Sequence, residues 1–409
     1  MAISLSLGLP RTAGQRPLVG AHLVDSLGTG LVLSFVVIYF ARTTSLGIAT
    51  IGAALTTARL LALPTAIVTG RLIDRFGARA TAAAGNALSA LAYAGFLTVH
   101  QVWQIVLVGW LAQVGAVAYW TSSTGLVVLA APGGERTRWF ALVQTLRNAG
   151  LAVGAALGSV LVGAGELRAV VALNAVSYLV AAALLVLWRP AGPAPRQQTT
   201  APSPGSYRDV LRDGRYLLLV GINLCNVFGS LVTSLLIAVY LVQSLHQPAW
   251  LAGSLLMMNG LQVVLTQGPV ARRLEHLRPT RVVAAAGAVN ALAFALFALL
   301  AAAPGWAVVA GLYAAMFLYN LAETMATPFA EELSVGLARP DLRGRYLGVY
   351  QLSWNTGQAL APGLLTLLLS HGAVWPWVFL AVTAVAGVPA LLLLERLVTG
   401  TGTSTPTAG

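Results

Sequence analysis

The side chains of this sequence that are able to do chemistry are few, and they stand where charge is least expected. His22 and Asp25 interrupt "VGAHLVDSLGTGLVLSFVVIYF", Arg59 interrupts "IGAALTTARLLAL", and Glu323 interrupts "LYNLAETMATPF". An ionisable group inside an apolar helix is costly and usually functional. The chemistry open to such groups is proton exchange or the binding of a charged solute; the alternative is a static buried pair that holds helices together. Asp25 lies about 10 Å, and Arg59 about 16 Å, inside the same end of their helices at the α-helical rise. On consecutive helices an arginine can bridge that difference, so a direct Asp25–Arg59 pair is expected, which spares both an unpaired charge. His22 is three residues before Asp25, on the same face. Glu323, one turn from Asn320, is either a second proton site or an acid hydrogen-bonded between helices. Asp25, Arg59, His22 and Glu323 are therefore the proton-coupling candidates. Asp25 leads, as the only acid deep in a helix of the first half.

Enzyme chemistry has no such foothold. The sequence holds no His-Glu-x-x-His, no phosphate-binding loop, no Ser/His/Asp set and no metal-ligand cluster, so neither a cofactor nor a metal is expected. Cys225 is the single cysteine, which rules out a disulfide within the chain.

The elements that carry these residues follow from composition. Of 409 residues, 57% are hydrophobic and 9% charged, and the mean hydropathy is +0.80. A soluble domain is about a quarter charged, so lipid is the expected solvent. Twelve apolar stretches of about the spanning length occur at 17–41, 47–69, 80–99, 102–130, 139–163, 168–188, 216–242, 248–270, 281–303, 306–332, 345–370 and 374–396. They are continuous rather than alternating, which excludes an outer-membrane barrel. The net charge of +12 comes from 24 basic residues, all arginine. With a cytoplasmic N-terminus only Arg42 and Arg168 fall outside, and Arg59 and Arg147 fall within spans. That asymmetry is the positive-inside pattern rather than a nucleic-acid surface. It places both termini in the cytoplasm of a prokaryotic cell, with the chain in the inner membrane. The N-terminal tail, whose short apolar run precedes its charges, lacks the order of a signal peptide.

Residues 189–215, rich in Pro, Gly and Arg, read as a disordered linker that leads into a short surface helix. The linker divides the chain into a first half at 1–188 and a second at 216–396, with a tail at 397–409. The halves repeat each other. At one offset Gly20 meets Gly221, His22 meets Asn223, Asp25 meets Asn226, Gly28 meets Gly229 and Tyr39 meets Tyr240. At a second, "RWFALVQTLRNAG" from Arg138 meets "RYLGVYQLSWNTG" from Arg345. Two parallel six-helix repeats are a transporter architecture with the substrate site near mid-membrane. The expected fold is thus an all-α membrane protein of twelve transmembrane helices in two pseudo-symmetric six-helix halves.

Between the second and third spans stands "GRLIDRFGAR". Its glycines permit a tight turn, and Asp74 is able to oppose a helix N-terminus, where the helix dipole favours an anion. The string resembles the G-x-L-x-D-R-x-G-x-R signature of the major facilitator superfamily, through Gly70, Leu72, Asp74, Arg75, Gly77 and Arg79. The segment from Ala322 to Trp354 is similar to the helix-ten to helix-eleven junction of that superfamily's drug:proton antiporters. Two features depart from the antiporters. Helix five keeps Gly150, Gly154 and Gly158 but has Ala155 where a proline is usual, and helix four has no arginine.

The resemblance implies a conformational role for Gly70, Asp74, Arg75, Gly77 and Arg79, with Asp74 bracing the halves when the cavity opens outward. It also implies a cavity lined by helices one, four, seven and ten, with five and eleven beside them. Asn223, Asn226, Gln113, Tyr119, Trp120, Asn148, Asn320, Gln351 and Asn355 are the substrate-binding candidates on those helices. The expected function is alternating-access transport, first as proton-coupled efflux of a small apolar or amphiphilic compound. Proton-linked uptake or facilitated movement of a polar metabolite is the alternative. The expected partners are a small-molecule substrate, protons and the lipid bilayer, with no nucleic acid, and the chain is expected to act as a monomer.

Overall fold

The computed structural model describes residue 10 and residues 12–33, 35–131, 135–190 and 205–399. Every regular element among them is helical. Twelve helical segments follow one another. They are α1 (Arg16–Leu33, continuing after a break as Val36–Thr43), α2 (Ile48–Leu61 and Thr65–Phe76), α3 (Ala78–Phe96), α4 (Val102–Ala130), α5 (Arg136–Gly163) and α6 (Leu167–Leu187) in the first half. The second half holds α7 (Gly214–Ser230, then π turns at Val232–Leu236 and Tyr240–Ser244), α8 (Ala249–Leu274), α9 (Pro279–Leu300), α10 (Gly305–Gly336), α11 (Arg343–His371) and α12 (Trp375–Thr399). A short helix, Tyr207–Arg212, precedes α7. Six of these helices are by themselves long and apolar enough to cross a bilayer, and the bent pairs of α1 and α2 bring the number to eight. The other four carry more polar residues or interruptions.

The bends have local causes. α2 is interrupted at Ala62–Pro64 with a bend of 42°; a proline disfavours helix in the residue before it and cannot donate to the turn behind it. α7 has no proline, and at Leu231 it passes into π turns, a geometry that inserts an extra residue per turn. The expected short helix after the linker is present: Ser206 accepts from the Arg208 amide and Asp209 from the Ser206 amide, an N-terminal capping box. The body of the linker at 191–204 and the tail from 400 lie outside the described residues.

The contacts divide into two compact units. One unit holds Leu9–Gly205 with Ala338–Leu352; the other holds Ser206–Leu337 and Ser353–Gly409. Each is built on the same neighbour pattern. α3 packs on α4 and α6, α2 on α4, and α1 on α6; likewise α9 packs on α10 and α12, α8 on α10, and α7 on α12. The repeat is exact enough to reproduce single hydrogen bonds. Tyr39 donates to the Phe96 carbonyl at 3.1 Å, and Tyr240, 201 positions on, donates to the Phe297 carbonyl at 2.7 Å, with 57 residues between partners in both. Gly150 of α5 packs on Leu23 and Ser26 of α1, and its counterpart Gly357 of α11 packs on Leu224 and Val227 of α7.

The apolar interiors differ in make-up. In the first unit Tyr39, Phe40 and Phe96 interlock, with Tyr93 against Phe96. In the second, buried Trp377 stacks on Phe297 at 4.4 Å and meets Tyr240 edge-on at 4.9 Å.

Candidate functional site

In the first unit α1 lies against α5 and α6. α1 and α5 run parallel and in step, because Gly150, Gly154 and Gly158, spaced four apart, lay the α5 backbone on α1 beside Leu23, Leu27 and Leu31. This small-xxx-small seam does without the proline expected at position 155. It also corrects the expected Asp25–Arg59 pair. Arg59 is on an exposed face of α2, a helix that packs on α4, whereas Asp25 is 1% exposed within the α1–α5–α6 contact. The cation whose field reaches Asp25 is Arg147 of α5. Sequence neighbours are therefore not the nearest spatial neighbours here, and depth along the helix gave no information about which face each residue occupied.

Around Asp25 the unit gathers polar groups from five helices. His22, one turn back on α1 and 1% exposed, shares a 2.7 Å hydrogen bond through Nδ1 with the Tyr119 hydroxyl of α4. Trp120 meets Tyr119 edge-on at 5.3 Å, and the Arg147 guanidinium lies 4.5 Å above the Trp120 ring. α3 brings Asn86, fully buried, and Tyr93; α6 brings Asn174, Ser177 and Tyr178. Tyr93 and Tyr178 stack at 5.5 Å, and the Tyr178 hydroxyl shares a 3.0 Å hydrogen bond with Thr29. Asp25 Oδ2, His22 Nε2, Ser26 Oγ and both amide atoms of Asn86 and Asn174 have no hydrogen-bond partner among the protein atoms. Buried polar groups are nearly always satisfied, so this concentration makes the surroundings of Asp25 the candidate site of the unit. Sequence reading missed Asn86, Tyr93, Asn174, Ser177 and Tyr178. Their signal was available, since Asn174, Ser177 and Tyr178 form one face of an otherwise apolar helix.

The remaining candidates are dispersed. Gln113 is half-buried on α4, two turns before Trp120, and Asn148 is half-buried on α5 next to Arg147. In the second unit Asn223 of α7 donates to Ser353 of α11 at 2.8 Å. Gln351 and Asn355 are half-buried on α11. Asn320 is fixed between α10 and α8: it accepts from Asn259 at 2.6 Å and donates to Gln262 at 3.0 Å. Gln262 and Gln267 of α8 donate in turn to the carbonyls of Phe317 and Thr324. This amide ladder was also missed, although "NGLQVVLTQ" places its members on one helical side. Glu323 is half-buried one turn beyond Tyr319. Asn226, the counterpart of Asp25, lines a cavity of about 10 Å³ with Cys225, Gly229, Asn290, Phe294 and Thr383.

The residues of the α2–α3 signature form another centre. The expected tight turn is present. α2 remains helical through Phe76, and Gly77 alone makes the turn, with φ +84°, a conformation that glycine adopts without strain. Asp74 faces the first turn of α11: Oδ1 accepts from the Gly344 amide at 2.6 Å and Oδ2 from the Arg345 amide at 3.3 Å, with Arg345 Nε 3.7 Å away. The helix N-terminus that favours an anion is thus that of α11. Gly344 and Gly348 let it approach the α2 backbone at Gly70 and Ala66. Arg79 donates to the Trp188 carbonyl at 2.7 Å, and Arg75 lies over Phe76 at 5.1 Å.

Two six-helix repeats, a polar centre buried in one of them and a charged turn clamped on a helix N-terminus define a polytopic membrane transporter. The family profile described as Major Facilitator Superfamily matches residues 18–362. The chain belongs to the major facilitator superfamily and is a transporter, not an enzyme. It is 26% identical over 388 residues to the multidrug resistance protein MdtH of Enterobacter sp. (strain 638), which covers 91% of this chain and 92% of that protein. Against MdtH of Aeromonas salmonicida (strain A449) the identity is 26% over 398 residues, covering 94% and 95%. Among solved structures, a bacterial homologue of the iron transporter ferroportin in an outward-facing state aligns with a TM-score of 0.80 at 13% identity, over 95% of this chain and 100% of that one. The transporter FucP in its outward conformation aligns with a TM-score of 0.71 at 13% identity, over 93% and 97%. These structures share the fold.

Proposed function

We propose that this transporter exports a small apolar or amphiphilic compound in exchange for protons, by alternating access. It does so as a monomer in a prokaryotic inner membrane, with both termini in the cytoplasm. The observation that carries the reading is Asp25, a 1% exposed carboxyl with an unpartnered oxygen among polar groups of five helices. A carboxyl in such a place is suited to take up and release a proton, because its surroundings, not water, decide its charge. Support for the outward direction comes from the relatives named for multidrug resistance. One proton crossing 100 mV supplies about 2.3 kcal/mol, enough for roughly a fifty-fold gradient. Trp120 and the amides of α5, α7 and α11 supply aromatic and hydrogen-bonding contacts to solute, and Asp74 holds α11 to α2 in one state of the cycle.

The test uses inverted membrane vesicles and three probes of stated chemistry: ethidium, tetraphenylphosphonium and chloramphenicol. Energised vesicles should accumulate at least one probe, and a protonophore should abolish the accumulation. Accumulation only in right-side-out vesicles would make the protein an importer, and indifference to the protonophore would make it a uniporter.

A further inference from the structure

α4 of this chain has no arginine, yet a guanidinium reaches the polar centre from α5. Arg147 stands one turn before Gly150, on the face that the Gly150–Gly154–Gly158 seam presses against α1. At that level it acts on Asp25, while the guanidinium itself rests 4.5 Å over the Trp120 ring. Trp120 in turn is edge-on to Tyr119, whose hydroxyl is bonded to His22. Arg147 therefore meets an aromatic face on α4, which it touches, and acts on a carboxyl of α1, which its field reaches.

We infer that Trp120 is a parking site for Arg147, and that the pair is a positioning device that sets the charge of Asp25 by holding the guanidinium on the ring or releasing it to the carboxyl. The inference rests on the proton-exchange reading proposed above. The groups that face Asp25 are His22 on its own helix, Asn86 and Tyr93 on α3, Tyr119 on α4, Arg147 on α5 and Tyr178 on α6. Of these only Arg147 has a permanent charge, so its position is the strongest single influence available. With Arg147 held on Trp120 its pull on Asp25 is weaker, and the carboxyl keeps a proton more readily. With Arg147 against Asp25 the carboxylate is favoured and the proton leaves. A solute that binds the Trp120 face displaces the guanidinium toward Asp25, which would couple substrate entry to proton release without contact between solute and acid.

The device makes two predictions of opposite sign, which a merely structural role would not. The readout is the carbonyl stretch of the protonated carboxyl in purified full-length protein, followed by infrared spectroscopy as a function of pH and assigned as the band that Asp25→Asn removes. Arg147→Gln takes the cation away and should raise the pH midpoint of that band by about one unit or more. Trp120→Leu frees Arg147 for the carboxyl and should lower the midpoint, by about half to one unit given the strength of a cation–π contact. Trp120→Phe keeps a ring and should fall between Trp120→Leu and the parent. Arg147→Lys keeps the charge and should return the midpoint to within about half a unit of the parent. Shifts of the same sign in Arg147→Gln and Trp120→Leu, or no shift in either, would overturn the inference while Asp25 still titrates. If Asp25→Asn removes no titrating band, it is the proton-exchange reading itself that fails.

Discussion

Asp74 shows how much one carboxyl does at the edge of the membrane. It lies beyond the apolar run that ends at Thr69, with a side chain that is 15% exposed. Burial pushes its carboxyl up to about 6, although the Gly344 amide and the Arg345 guanidinium pull the other way. The folded value is above the unfolded one, so the folded protein binds this proton more readily. The stability it contributes is fully present below the unfolded value and is lost as pH rises through about 6. Between pH 7.5 and pH 5 the parent protein should gain about 1 kcal/mol relative to Asp74→Asn, or about 1–2 °C in thermal midpoint. Thermal unfolding of both proteins in detergent at the two pH values measures it; parallel changes would show that Asp74 does not titrate in this window. Asparagine retains one acceptor for the Gly344 amide but loses the charge that Arg345 and the α11 N-terminus favour. Asp74→Asn should therefore insert normally yet transport more slowly, and normal transport by well-expressed protein would reduce the α2–α3 turn to a topology signal.

Among the helices, the α1–α5 seam decides which residues meet at the centre, and backbone proximity is its active ingredient. A Cβ added at Gly154 would run into the Leu27 carbonyl and Gly30, whereas Gly163, nine residues on, has open space around it. Gly154→Val should cost at least about 1–3 kcal/mol, the usual penalty of overpacking, and should broaden or abolish the monodisperse peak in size-exclusion chromatography. Gly163→Ala should leave that peak unchanged, and a similar effect of both substitutions would mean the seam is not tight. The seam was legible in the sequence as three glycines at spacing four, and the repeat as matched Gly, Asn and Tyr at fixed offsets. The bend in α2 was also announced, by Pro64. What could not be read was helix rotation and adjacency. Depth alone suggested Arg59 for Asp25, but α1 packs on α5 and α6, so the cation whose field reaches it is Arg147. The π turns of α7 arise in a run of Leu, Val, Thr and Ser with no proline, and nothing local announces them.

At the scale of the whole molecule the two repeats share their helix contacts but divide the chemistry unequally. The first surrounds Asp25 with unpartnered polar atoms and a cation; the second fixes Asn320 between Asn259 and Gln262, leaves Asn290 Oδ1 unpartnered, and has Asn226 at the position of Asp25. The surroundings of Asn226 are Cys225, Gly229, Asn290, Phe294, Leu380 and Thr383, with no cation among the lining residues. A cavity of about 10 Å³ there has room for roughly one water molecule, not for a solute. The proton-exchange reading proposed above predicts one proton site per cycle, lodged in the first repeat at Asp25. Asp25→Asn should abolish proton-driven accumulation in vesicles while permitting downhill exchange of the same probe, and Glu323→Gln should leave driven accumulation largely intact. The repeat also allows the acid to be moved. In the double variant Asp25→Asn, Asn226→Asp the carboxyl sits at the equivalent place but without the Arg147–Trp120 pair, so driven accumulation should not return. Its return would show that position in the repeat suffices and the cation is dispensable; loss in Glu323→Gln alone would instead place the coupling in the second repeat.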